Sequence, residues 1–144
     1  MVRLEAIVDA ISGVVTTTRN EIEFDDTQLP AITILEGDEE SSDTDASRGR
    51  PPTRPYIVTM IPQVFIRVRK DEENVGTLLN RLRAAVIKAV LSDTALEELA
   101  MDGPNNNGRI RYVGMQSTLH AARSMVGAMA LTFAITYVLN PSDL

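Results

Sequence analysis

The chain has 144 residues, 44% of them hydrophobic and 24% charged, a composition that supports one buried core and points neither to a membrane protein nor to a disordered one. Its net charge of −6 argues against a surface that coats nucleic acid, because phosphate binding rests on clustered Lys and Arg. The lack of cysteine excludes a disulfide framework and thiolate metal sites, and fits a reducing cytosol or a particle assembled there.

Leu4, Ile7, Val8, Ile11 and Val15 recur at helical spacing with polar residues between them, so residues 2–18 read as an amphipathic helix. Glu5 and Asp9 interrupt this apolar stretch, which argues against a secretory leader. Pro30 introduces a β-branched run, Ala31 to Glu36, with strand character. Residues 37–55 hold almost nothing that can be buried and read as a long flexible loop with an acidic half and a basic half.

From Tyr56 to Lys70 the pattern has period two. Tyr56, Val58, Met60, Val64, Ile66 and Val68 share one face, and Thr59, Gln63, Arg67 and Arg69 the other. Pro62 has no amide to donate to a ladder, so the expectation is an edge strand or a bulge there. Asp71 to Glu73 read as the cap and acidic first turn of a second helix, whose stripe runs from Val75 through Leu79, Leu82 and Val86 to Val90. Thr94 and Glu97 have capping-box spacing for a short helical turn to about Ala100. Residues 109–118 alternate as a third strand. Residues 127–139 form a fourth, with Met129, Leu131, Phe133, Ile135, Tyr137 and Leu139 on one side and Ala128, Ala130, Thr132, Ala134 and Thr136 on the other.

These elements predict an α+β fold in the order α-β-β-α-β-β: a four-stranded, mostly antiparallel or mixed sheet with two main helices on one face. In this reading the chain is a single domain, and no helix is left to cover the second sheet face with its arginines and its Ala/Thr row. The longest apolar run, Val126 to Leu139, is shorter than the ~20 residues that cross a bilayer, so no membrane segment is expected.

The candidate chemistry is thin. His120 lies between Ser117 and Ser124 without a nucleophile-elbow sequence. The acidic run Asp38, Glu39, Glu40, Asp43, Asp45 has Arg48 where a calcium loop needs glycine and Arg54 where it needs the closing glutamate. Arg48-Gly49-Arg50-Pro51 has the core sequence of an AT-hook, which enters narrow A·T minor grooves, but it is a single copy just downstream of five acids. No catalytic, cofactor or metal residue is assigned. The partner-facing candidates are Arg67, Arg69, Arg109 and Arg111, the loop residues Asp38, Glu39, Glu40, Arg48, Arg50 and Arg54, and Thr132 and Thr136. Arginine predominates among the cations, Lys70 and Lys88 being the only lysines, and it favours interfaces and bidentate carboxylate contacts.

Several segments carry a resemblance: Arg19-Asn20, Leu29-Pro30-Ala31-Ile32 leading to Gly37-Asp38-Glu39, Pro62-Gln63-Val64, and the run Gly127 to Tyr137. Over nearly its whole length the chain resembles the tail terminator family of long-tailed bacteriophages, the tail-completion or minor tail protein U-like proteins. The resemblance implies a non-enzymatic virion subunit that assembles in the host cytoplasm into a ring, in the family a hexamer, at the head-proximal end of the tail. There it would stop tail-tube polymerisation and dock a head-tail connector or stopper protein, meeting DNA only as DNA passing through the ring. Another neck or connector subunit and, from a different class, a DNA-binding adaptor acting through Arg48 to Arg54 are the alternatives.

Overall fold

The computed structural model describes residues 1–21, 23–41, 56–69, 74–100, 109–117 and 126–139. Among these residues the architecture is three α-helices and one seven-stranded mixed sheet, which replaces the four-stranded, two-helix layout expected from the sequence. Three physical differences account for the correction.

The first helix is short. Helix α1 spans Val2–Asp9 and buries Leu4, Ile7 and Val8. Ser12 and Gly13 then turn the chain, Gly13 at φ 89° in the region that favours glycine. The next residues, Thr16–Arg19, form strand β1, parallel to β2 (Ala31–Leu35) from Thr16 opposite Ala31 to Arg19 opposite Ile34. Threonine is stiff at χ1 and suits a pleated strand better than a helix. Ile11 still packs on the core, whereas Val15 is exposed, so the helical spacing of these two residues does not mark a helix.

Second, the long period-two segment is two strands, β4 (Tyr56–Met60) and β5 (Gln63–Arg69). Both pair with the 14-residue strand β7 (Val126–Leu139). Pro62 interrupts the ladder without slipping it: Met60 faces Ile135, Gln63 faces Thr132, and the Phe133 amide donates to the Pro62 carbonyl at 3.1 Å. The proline therefore sits inside the sheet rather than at its edge.

Third, residues Glu39–Ser41, expected in the charged loop, form strand β3 against β4. Between Leu35, opposite Gln63, and Glu39, opposite Met60, three residues stand against two, so the bulge lies on the strand next to Pro62. Gly37 occupies it. A Cβ there would fall 1.6 Å from the Ile61 carbonyl oxygen, and only glycine allows that approach. Residues 42–55 of the expected loop lie outside the described residues.

Helix α2 covers Val75–Leu91 and buries Leu79, Leu82, Val86 and Val90. It starts after Asn74, which is left-handed at φ 69°; the expected cap at Asp71 lies outside the described residues. Helix α3 runs Thr94–Ala100 and is capped one residue earlier than the capping-box spacing predicts. The Leu96 amide donates to Asp93 Oδ1 at 2.7 Å. Arg3 of α1 clamps the same carboxylate with two bonds, 2.9 and 2.5 Å. Hydrogen bonding by Arg3, with help from the Leu96 amide, holds the Asp93 carboxyl below its usual range.

The sheet runs β1-β2-β5-β7-β4-β3, and β6 (Arg109–Ser117) pairs along the other side of β7. All three helices pack on one face. That face carries Ile32, Ile34, Val64, Ile66, Val68, Met129, Leu131 and Phe133 into one cluster with the apolar stripes of α1, α2 and α3. Burying each aliphatic side chain contributes about 1.5–3 kcal/mol. Phe133, fully buried, meets Tyr112 of β6 edge-on with ring centroids 5.7 Å apart. Among the described residues no helix is long and apolar enough to cross a membrane.

Candidate functional site

The face away from the helices holds most of the partner-facing candidates that lie within the described residues. Its floor is β7, where the outward positions are Ala128, Ala130, Thr132, Ala134 and Thr136. On one side β5 sets Arg67 opposite Ala128 and Phe65 opposite Ala130; on the other, β6 sets Arg111 opposite Ala134 and Arg109 opposite Thr136. The two arginine pairs are thus at opposite ends of β7, diagonally across a floor of small side chains. Ala128 and Ala134 are six residues apart, about 20 Å along the strand.

Ala130 and Ala134 are themselves buried, at 7% and 5% exposure, although they point away from the helices. Each has larger cross-strand neighbours, Phe65 and Gln116 beside Ala130 and Arg111 beside Ala134. Thr136 shares a hydroxyl hydrogen bond of 3.0 Å with Thr59 of β4, which ties the floor together where β6 begins. Thr132 lies opposite Gly114, at the irregularity between Tyr112 and Gly114 where β6 shifts register. A Cβ at Gly114 would meet nothing within 4 Å, so the surface is open beside Thr132.

The face is not bare throughout, which corrects the expectation of an uncovered sheet. The chain after β1 crosses it: the Thr33 hydroxyl donates to the Glu21 carbonyl at 2.9 Å, and Thr33 is 2% exposed. The Arg67 guanidinium lies over the Phe24 ring, 5.6 Å from its centroid, a cation-π contact of roughly 0.5–2 kcal/mol. Arg67 is therefore already engaged within the chain. Asp25 and Gln28 close the crossing segment, the Asp25 amide donating to Gln28 Oε1 at 2.8 Å.

At the β6 end a groove of about 570 Å³ is lined by Arg109, Arg111, Thr59 and Thr136 on the strand side and by Glu97 and Leu91 on the helical side. It brings together cations, a carboxylate and hydroxyls, groups suited to polar contact with a partner. No histidine lines it, and among the described residues no group of three or more His, Asp or Glu is placed to hold a metal ion. His120, Ser124, Asp43, Asp45, Arg48, Arg50 and Arg54 lie outside the described residues.

The chain matches no family model and no curated protein.

Asp38, Glu39 and Glu40 are exposed at the far edge of the sheet from Arg109 and Arg111. Glu39 differs from its neighbours in pointing to the helix-bearing face, where its Oε2 accepts a 2.9 Å hydrogen bond from the Tyr137 hydroxyl. Burial, together with that bond and the carboxylate charge, pushes the Tyr137 phenol up to about 12. The folded phenol is raised above the ordinary value near 10, so its contribution to stability is complete below pH 10 and is lost as pH rises toward 12. Ultraviolet titration of the three tyrosines is expected to show a phenolate component with its midpoint near 12 that disappears in Tyr137→Phe. If the component lost in Tyr137→Phe has its midpoint near the ordinary value of about 10, the Glu39 contact is removed. Two residues of this surface carried no functional signal in the sequence. Phe24 sits among acids without periodicity, and Thr59 was legible only as an outward position of a strand.

Proposed function

We propose that the chain is a structural subunit of a bacteriophage tail, a terminator that forms a ring on the last ring of the tail tube, stops its growth and presents a docking surface toward the head. The observation that supports this reading most directly is the outer sheet face: a row of Ala and Thr along β7 with the exposed Arg109 and Arg111 beside it. Small side chains let another protein layer approach the strands closely, and these two arginines suit acidic groups on that layer. The resemblance in Leu29 to Glu39 and Gly127 to Tyr137 points the same way.

The direct test adds the purified protein to tail-tube subunits during polymerisation, with light scattering and negative-stain microscopy as readouts. The expected result is a ring-shaped particle, free or at tube ends, and tubes that stop lengthening. Persistent monomers both alone and with tubes, with tube growth unaffected, overturn the reading. A stable interface buries about 1,200–2,000 Å², so ring formation is also expected to raise the unfolding temperature with protein concentration.

A further inference from the structure

We propose that copies of this chain join head to tail through the two edges of their own sheet, the β3 edge of one protomer against the β6 edge of the next. The inference rests on the ring reading above and supplies its contact.

At one end of the molecule four strands lie side by side in the order β3-β4-β7-β6, each antiparallel to its neighbour. The registers place Glu40 opposite Thr59, Thr59 opposite Thr136 and Thr136 opposite Arg109. One cross-strand row on the outer face therefore begins with an acid and ends with a base. A second row runs beside it: the Ile61 amide donates to the Asp38 carbonyl at 2.9 Å, and Ala134 faces Arg111. The sheet is acidic along one edge and basic along the other.

Among the described residues, no further strand pairs with either edge. Glu39, Glu40 and Ser41 are exposed, as are Arg109, Arg111 and Val113. Among the described residues, Glu40, Arg109 and Arg111 make no ion pair. Within one chain Glu40 and Arg109 are three strand spacings apart, about 14 Å, too far to meet. A neighbouring copy brings them together.

Strand direction agrees with charge. The four strands alternate, so a second copy continuing the same sheet sets its β3 antiparallel to the first copy's β6, and the alternation passes through the junction unbroken. A twofold pairing is less favourable. β3 against β3 crowds Glu39 and Glu40 of two copies within a three-residue strand, and β6 against β6 leaves Arg109 and Arg111 without acidic partners. Different edges meeting head to tail form a heterologous interface, which closes into a ring when the rotation between copies permits.

Two charge-reversed proteins test this: Asp38→Arg/Glu40→Arg, basic on both edges, and Arg109→Glu/Arg111→Glu, acidic on both. All four positions are exposed, and thermal melts confirm folding. In sedimentation, alone and with tail-tube rings, the parent is expected to assemble, and each variant alone to lose at least tenfold in association. The equimolar mixture is expected to recover assembly, because every junction then joins opposite charges in an alternating ring. If the variants assemble as the parent does, or the mixture fails to recover, the edge contact is wrong while the ring reading stands. A parent that never assembles removes both. Should a variant fold poorly, the cysteine-free chain offers a second measurement. Glu40→Cys/Arg109→Cys treated with a short bismaleimide is expected to give a ladder of covalent oligomers, and uncrosslinked monomer under assembly conditions overturns the proposal.

Discussion

Replacing Gly37 with alanine is expected to cost about 3 kcal/mol of folding stability, the upper part of the range for overpacking a fixed site. The added Cβ would fall 1.6 Å from the Ile61 carbonyl oxygen and 2.5 Å from its carbon. These are backbone atoms, so no rotamer change relieves the contact. Either the bulge between β2 and β3 opens or the Ile61-Pro62 interruption shifts, and the second route disturbs the Phe133 amide bond to Pro62. Urea denaturation is the measurement, with the loss read as a lower midpoint at unchanged slope. Gly76 provides the control. A Cβ there meets nothing within 4 Å, and the residue lies in α2, so Gly76→Ala is expected to be neutral or to stabilise by up to about 1 kcal/mol. Equal midpoints for Gly37→Ala and the parent would show that the bulge does not need its glycine.

Phe133→Ala is expected to cost about 4 kcal/mol, within the usual 3–5 for emptying a buried aromatic site. The side chain is fully buried and meets the Tyr112 ring edge-on. Its strand is flanked by β6 on one side and by the Ile61-Pro62 gap on the other. The Phe133 amide still donates to the Pro62 carbonyl, but Pro62 has no amide to return a bond, so local order there depends more on side-chain packing than elsewhere in β7. Against a total stability of about 5–15 kcal/mol, this loss takes a large share. It is expected to be accompanied by faster hydrogen exchange in β6, whose only strand partner among the described residues is β7. A cost under 1 kcal/mol would mean the surrounding core collapses to fill the space.

What the sequence revealed of this fold follows from side-chain contrast. β7 alternates large and small residues from Ala128 to Tyr137, and α2 and α3 keep apolar stripes, so β7 and α3 were legible to within a residue or two and α2 along its stripe, although its N-cap, Asn74, lies three residues after the expected Asp71. β1 was hidden because Ile11 and Val15 continue the spacing of α1, and the Ser12-Gly13 turn and three threonines were the weaker signal. β3 contains no apolar residue; it is a strand because its backbone pairs with β4, and hydrophobic patterning carries no trace of that. The covering of Arg67 by Phe24 was illegible for the same reason, since a single aromatic among acids has no period. The arginines and acids of the candidate surface were legible as residues, but not in their arrangement. That Glu40 and Arg109 end one row depends on three separate registers.

β7 touches β4, β5 and β6, and every cross-strand row described above passes through it. A slip of one position along this strand would exchange its two sides at once, turning Phe133 and Leu131 outward and leaving alanines and threonines to fill the space beneath the helices. Few errors would be so expensive, and the sharp size difference between its alternate residues acts as a lock against them. β7 thereby serves as the ruler of the molecule, keeping an acid at one margin and a base at the other at a common height in every copy.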